Sequence, residues 1–225
     1  MDYQMDPRIN RELLEEAARG IRRIMQEGFT PSRGGDISIR DRNTGLIYIS
    51  GTMDTMPFDY NNFMDFRAQD TVVFDLDGNK LTPWNSATIE TPLHLSIFRA
   101  RPEINCVLHI HPLWSSIFAI ARQNIPLILV EQYAYLGGEI ECAEYAPAGD
   151  LRVGEYTAKA LGEKNAAIMA SHGAVTVGET VDMAFRNAHF LENIAQKAVF
   201  ASMLGKLNTI APEDALADHF MPGTK

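Results

Sequence analysis

The chain has 225 residues, 46% of them hydrophobic, and a formal net charge of −9 at pH 7. This composition supports a folded core, and the acidic balance without a basic stripe excludes nucleic acid as a partner. The longest apolar run, 125–130, is far shorter than the roughly 20 residues of a membrane-spanning helix. Two cysteines give no disulfide framework, and the N-terminus is polar and acidic. We therefore expect a cytoplasmic protein without a membrane partner.

The first part of the chain predicts one helix followed by three strands. Apolar residues recur at helical spacing in 11–29, where Gly28 suits a helix end. Alternating residues predict strands at 35–41 and 46–50, and 71–81 predicts a third strand that ends in an Asp-Gly turn. Tight turns between successive strands indicate antiparallel pairing.

Helices and strands are interleaved in the rest of the chain. The predicted order is a helix at 86–102 capped by Ser86 or Thr88, a strand at 104–110, a helix at 113–122, a strand at 125–131, a helix at 151–163, strands at 166–171 and 174–178, and a helix at 180–204. Since helices between the strands must cover the sheet, the sequence predicts one layered α/β domain over residues 1–225.

Two histidines lie one residue apart near the end of the strand at 104–110. Side chains alternate along a strand, so His109 and His111 lie on one face while Leu108 and Ile110 lie on the other. Two neutral imidazoles placed in this way suit a zinc-type cation. A bare His-x-His also arises by chance, in which case both are ordinary polar residues at a strand end.

A metal site built on His109 and His111 needs further ligands from elsewhere in the chain. His172 lies beside Gly173, between two predicted apolar strands. It either points into a cleft or belongs to an ordinary turn, and Gly173 allows the chain to turn tightly there. Glu90 and His94 are four residues apart on one helix face, and spacing alone does not choose between them. His189, inside the last long helix, is interpreted as structural or surface-exposed.

Taken together, these motifs resemble the class II aldolase/adducin family, which includes fuculose-phosphate aldolase and ribulose-phosphate 4-epimerase. The resemblance covers nearly the whole chain, and the spacing from Glu90 to His109 and from His109 to His172 also fits the family pattern. The segments that carry it are GGDISIRD, TIETPLHLSIFRARPEINCVLHIHP, LGGEIECAEYAPAGD and ASHGAVTVG, which begin at residues 34, 88, 136 and 170.

The resemblance implies a three-layer αβα sandwich around a mainly antiparallel sheet, and a homotetramer with its site at a subunit interface. It implies that His109, His111 and His172 bind a divalent cation, most commonly Zn²⁺ with Mn²⁺ or Co²⁺ as alternatives. It favours Glu90 over His94 as a further ligand and proton-transfer group. The implied activity is aldol-type cleavage of a small hydroxy-ketone, a sugar phosphate or hydroxy-keto acid, through an enediolate that the cation stabilises.

The chain departs from the family pattern where sugar-phosphate members bind the phosphate. The acidic Asp36 and the apolar Met53 and Ile89 replace residues that would donate hydrogen bonds, although Asp36 also suits a turn cap. The expected substrate-binding residues are Arg33, Gly35, Asp36, Ser50, Thr52 and Thr88.

The acid that protonates the leaving group is predicted to be Tyr133 or Glu131. Tyr133 also suits a half-buried interface position, where amphipathic rings are common. Three other functions stay open: decarboxylation of a keto or hydroxy-aromatic acid, sugar-phosphate epimerisation, and non-catalytic adducin-like binding. The epimerases tend to carry Asp where Glu90 stands, and a binding domain has no need of the three histidines.

Overall fold

The computed structural model describes residues 5–31, 34–52 and 62–217. The strands within these ranges are β1 (Asp36–Arg40), β2 (Ile47–Thr52), β3 (Thr71–Phe74), β4 (Ser86–Ala87), β5 (Cys106–Ile110), β6 (Cys142–Ala143), β7 (Ala166–Met169) and β8 (Gly173–Gly178). They form one sheet in the order β3-β2-β1-β5-β8-β7-β6, with β4 paired to β2. Every pair is antiparallel except β6 with β7.

Helices cover both faces of this sheet. They are α1 (Arg11–Gln26), α2 (Thr91–Ala100), α3 (Leu113–Ala121), α4 (Val130–Leu136), α5 (Leu151–Leu161), α6 (Val181–Leu204) and α7 (Pro212–Ala217), with short 3₁₀ helices at Asn62–Asp65 and Ala68–Asp70. None of the helices in the described ranges is long and apolar enough to cross a bilayer.

The alternation of side chains divides the core into two layers. Leu108 and Ile110 of β5 pack in the layer formed with α1, α3, α4 and α6, whereas Val107 packs in the layer formed with α2 and α5. The predicted αβα sandwich with a mainly antiparallel sheet is thereby confirmed. His109 has the same parity as Val107, so it faces the α2 side.

The helix predicted at 86–102 starts later than expected. Ser86 and Ala87 pair with β2 instead, and α2 begins at Thr91 with Glu90 as its N-cap residue. The prediction of a cap at Ser86 or Thr88 was therefore wrong. Pro92, whose fixed φ suits a first turn, marks the true start.

The prediction of a strand at 125–131 was also wrong. Its apolar run lies in irregular backbone, apart from a bridge between Ile125 and Ile140, until α4 begins. The buried side chain of Gln132 satisfies this backbone: its Oε1 accepts from Ile128 N–H, and its Nε2 donates to the carbonyls of Ile125, Pro126 and Gly138. A side-chain amide thus replaces the ladder that a strand would need.

Replacing Gln132 by Leu removes the partner of the Ile128 N–H and of the Pro126 and Gly138 carbonyls, whereas the Ile125 carbonyl keeps the N–H of Ile140. We expect a loss of about 1–3 kcal/mol in the free energy of unfolding, the range for a buried polar group without a partner. Urea titration measures it, with the exposed Gln123→Leu as the matched control. Equal stability of the two variants would contradict this account of the segment.

Candidate metal centre

Three histidines from two neighbouring strand ends converge at the α2 face of the sheet. The ring centroids are 4.7 Å apart for His109 and His111, 4.8 Å for His109 and His172, and 5.1 Å for His111 and His172. One nitrogen from each ring lies within 4.8 Å of the other two. The expectation that His109 and His111 share a face agrees with this geometry, and His172 joins them from the β7–β8 turn.

Hydrogen bonds fix the orientation of these rings. The Nδ1 of His109 is 3.3 Å from the carbonyl oxygen of Ala174, and its Nε2 is 2.9 Å from Nε2 of His111. When its Nδ1 donates to Ala174, the Nε2 of His109 carries a lone pair, which points at His111 and can bind a cation instead. Ser171, in a left-handed conformation with φ 55°, turns the chain into His172.

Glycines allow the backbone to approach the rings closely. A Cβ atom on Gly34 would lie 2.8 Å from Nδ1 of His111, and one on Gly173 would lie 2.4 Å from the carbonyl oxygen of Ile110. Either contact is too short for a real side chain. The site is therefore shaped by backbone packed against imidazole.

Burial keeps the histidines neutral. It lowers the pKa of His109 to about 3 and that of His111 to about 4, and it also lowers the pKa of His172. Neutral imidazole is the form that binds a cation. All three groups are in this form near pH 7.

The carboxylate of Glu90 is buried beside this cluster. Its Oε1 lies 3.9 Å from Nε2 of His172, and neither oxygen has a hydrogen-bond partner of normal geometry among the described residues. The backbone of Gly149 makes a weaker polar contact that lowers the pKa of Glu90 but does not offset burial. Burial, reinforced by the negative charge of Asp36, raises the pKa of Glu90 to about 7. An unpaired buried carboxylate next to three neutral imidazoles fits a divalent cation, which supplies the missing charge.

His94 does not join the three histidines, because both of its ring nitrogens contact other side chains. Its ring is fully buried, with Nδ1 2.5 Å from Oγ of Ser38 and Nε2 2.5 Å from Oδ1 of Asp36. Burial raises the pKa of Asp36, but the charge and hydrogen bond of His94 outweigh it and hold that pKa low, at about 2. Sequence reasoning treated His94 and Asp36 separately and did not find that they pair.

Most polar groups of the predicted substrate-binding residues that the structure describes are already bonded within the protein. Asp36 accepts from Thr88 Oγ1 at 2.7 Å, Ser50 Oγ accepts from Ile37 N–H at 3.1 Å, and Thr52 Oγ1 donates to the carbonyl of Ser86 at 3.2 Å. Gly35 lies close to the carbonyl oxygen of His109. Arg33 and Met53 lie outside the described residues.

The predicted acids lie on α4, on the other side of the sheet from the α2 layer. Glu131 pairs with Lys197 of α6 at 3.4 Å. Tyr133 is half-buried, and the neighbouring Tyr135 stacks on Phe190 at 4.0 Å. Within the described part of the chain, the cluster that could hold a metal ion consists of the three histidines and does not include Glu131.

Comparison with known proteins gives the family. The model of the class II aldolase and adducin N-terminal domain matches residues 15–199. The chain belongs to this family. The predicted family and the predicted enzyme class, an aldolase-type lyase, are therefore confirmed.

Related proteins agree in sequence and in fold. The chain is 26% identical over 202 residues to 5-deoxy-D-ribulose 1-phosphate aldolase of Bacillus thuringiensis, covering 90% of this chain and 91% of the relative. It is 28% identical over 178 residues to L-fuculose phosphate aldolase of Methanococcus maripaludis, covering 79% and 91%. A solved L-fuculose 1-phosphate aldolase superposes with a TM-score of 0.85 at 22% identity, covering 93% and 95%, which shows the shared fold.

His109→Ala removes the most buried of the three imidazoles, so the variant is expected to lose most of its bound divalent cation after dialysis. Elemental analysis of protein reconstituted with Zn²⁺ measures this. His189→Ala is the matched control, because His189 is exposed and bonds to Glu27 on the surface. Full occupancy in the His109 variant would contradict the site assignment.

Glu90→Gln is expected to stabilise the cation-free protein at pH 8. The pKa of this carboxyl group rises from 4.5, its ordinary value, to about 7 in the fold, so the folded state binds the proton more tightly. The buried charge therefore costs stability above pH 7, and the cost disappears as pH falls to 4.5. The gain is at most about 3.5 kcal/mol, at roughly 1.4 kcal/mol per pKa unit.

Urea titrations of both proteins in a chelator at pH 8 and pH 4.5 measure this difference. Equal stabilities at pH 8 would mean that the Glu90 charge is not destabilising.

Proposed function

We propose that the protein is a cation-dependent aldol-type lyase that cleaves a small hydroxy-ketone, with Glu90 as the proton-transfer group. The observation that carries the proposal is the buried, unpaired carboxylate of Glu90 beside three neutral imidazoles. The related enzymes, named for aldol cleavage of deoxyribulose and fuculose phosphates, support a sugar phosphate as the substrate class.

In this proposal His109, His111 and His172 hold the divalent cation, Zn²⁺ with Mn²⁺ or Co²⁺ as alternatives. When bound, such a cation supplies a Lewis acid that polarises a carbonyl and stabilises the negative charge developing as the carbon–carbon bond breaks. Because the imidazoles are neutral, they leave its full charge available.

Glu90 provides the proton chemistry. A carboxyl group whose pKa lies near neutrality accepts and returns protons readily at that pH. It would take a proton from the substrate hydroxyl or carbon and return one to the new carbon centre. Tyr133 and Glu131 lie across the sheet from the histidines of their own chain, so as the proposed acids for the leaving oxygen they would serve the site of a neighbouring subunit. Arg33 and Gly35 are the proposed contacts of the substrate end group.

Decarboxylation is a second candidate, favoured by one observation. The hydroxyls and carboxylate of Ser50, Thr88 and Asp36 are engaged within the protein, so these described residues offer no free donor to a phosphate. A keto or hydroxy-aromatic acid needs no such donors. The product distinguishes the two functions, because the lyase releases an aldehyde and the decarboxylase releases carbon dioxide. Proton NMR of reactions with sugar phosphates and with unphosphorylated acids measures which product forms.

Glu90→Gln is expected to retain the cation on the three histidines but to lose turnover on the order of a hundredfold, as for other general acid–base groups. The measurement is product formation per bound Zn²⁺ on the substrate that the wild-type protein cleaves. A variant as active as the wild type would remove Glu90 from the mechanism.

We also propose a homotetramer in the cytoplasm with the site near a subunit interface. Large apolar side chains exposed on two adjacent helices support it: Leu113, Ile117 and Ile120 of α3, and Phe200, Met203 and Leu204 of α6. Helix α3 begins two residues after His111. Sedimentation velocity tests the assembly, and a monomer at micromolar concentration would contradict it.

A further inference from the structure

A continuous chain of hydrogen bonds leads from the sheet to the backbone of Glu90. Ser38 contacts His94, His94 contacts Oδ1 of Asp36, and Thr88 Oγ1 donates to Oδ2 of Asp36 at 2.7 Å. The N–H of Glu90 then donates to the same Thr88 oxygen at 3.2 Å. Both carboxylate oxygens of Asp36 are therefore used, one for α2 and one for the turn before it.

Strand register places this chain against the metal-binding strand. Asp36 of β1 is the cross-strand partner of His109 in β5, so the two side chains lie on the same face of the sheet. The chain spans the distance between His109 and the turn that carries Glu90. Ser38, two residues along β1, faces the same side and reaches His94.

The Thr88 hydroxyl has no proton left for a substrate. Its single hydrogen goes to Asp36 and its oxygen accepts from Glu90 N–H. The Thr88 carbonyl is also engaged, since it accepts from the N–H of Thr91 at 3.1 Å and from its hydroxyl at 2.7 Å. Both the hydroxyl and the carbonyl of Thr88 are therefore held by hydrogen bonds within the protein.

We propose that Asp36 and His94 are positioning residues, which hold the Thr88 hydroxyl and through it fix Glu90 against the strand of His109. The importance of this role for catalysis rests on the proposed function of Glu90. The chain fixes the backbone of Glu90, while its carboxylate stays without a hydrogen bond and free to face the cation and the substrate. Small displacements of such a group are costly, because rates fall steeply with misplacement of about 1 Å.

The test measures the Glu90 amide directly. Hydrogen–deuterium exchange of the full-length, cation-free protein, with fragmentation that resolves residues 88–91, is compared for Thr88→Val and Thr88→Ser. We expect exchange at Glu90 to accelerate about tenfold in the valine variant, as for loss of one hydrogen bond, and to return towards the wild-type rate in the serine variant. Unchanged exchange in Thr88→Val would overturn the proposal.

Two further variants make the test specific. Thr71→Val removes a buried hydroxyl that donates to the carbonyl of Leu14 and takes no part in the hydrogen bonds from Ser38 to Glu90, so it is expected to leave Glu90 exchange unchanged. Asp36→Asn is expected to accelerate exchange at the Glu90 amide. This variant provides the same test if Thr88→Val does not fold. An Asp36→Asn protein with the wild-type exchange rate would remove Asp36 and His94 from the proposal.

A rate measurement separates this inference from the proposed function. Deuterium incorporation into dihydroxyacetone phosphate by Zn²⁺-loaded protein is expected to show kcat lower by roughly tenfold to a hundredfold in Thr88→Val, with KM and cation content unchanged. If Glu90→Gln loses the rate and Thr88→Val keeps it, positioning is wrong and the function stands. If Glu90→Gln keeps the rate while the amide results hold, the positioning stands and the function of Glu90 fails.

Discussion

The antiparallel register of β5 against its neighbours is the constraint on which the site depends. It pairs His109 with Asp36 on one side and with Val175 on the other. A slip by one residue would turn His109 toward the layer of α1 and α6, away from α2 and Glu90. The close packing of Gly35 and Gly173 on β5 backbone allows the register, since a side chain at either place would clash with a carbonyl oxygen.

Two buried carboxylates within this frame have opposite properties. Asp36 has partners at both oxygens, and its pKa is held at about 2, whereas Glu90 has none and its pKa rises to about 7. The negative charge of Asp36 is itself a cause of the Glu90 shift. Pairs of carboxyl groups driven apart in this way are typical of sites in which one group is structural and the other transfers protons.

The sequence predicted the features that depend on local periodicity. The period of two placed His109 and His111 on one face, and helical spacing placed Glu90 near the start of α2. Contacts between residues that are distant in the sequence could not be predicted. The pairing of Asp36 with His94 requires β1 and α2 to lie side by side. The buried amide of Gln132 bonds to irregular backbone where the sequence pattern predicted a strand. Similarly, nothing in its local pattern marks Glu192, whose carboxylate accepts from the N–H groups of Trp114 and Ser115 at the start of α3.

The distribution of pKa values in the site decides which group governs its response to pH. Because the pKa values of His109 and His111 are about 3 and 4, protons do not compete for these ligands near neutrality. Glu90, at about 7, is partly protonated there, and a nearby cation favours its ionised form. In the proposed site, binding of a cation would therefore release a proton from Glu90, and this carboxylate would contribute more than His109 and His111 to a rise of affinity with pH through neutrality.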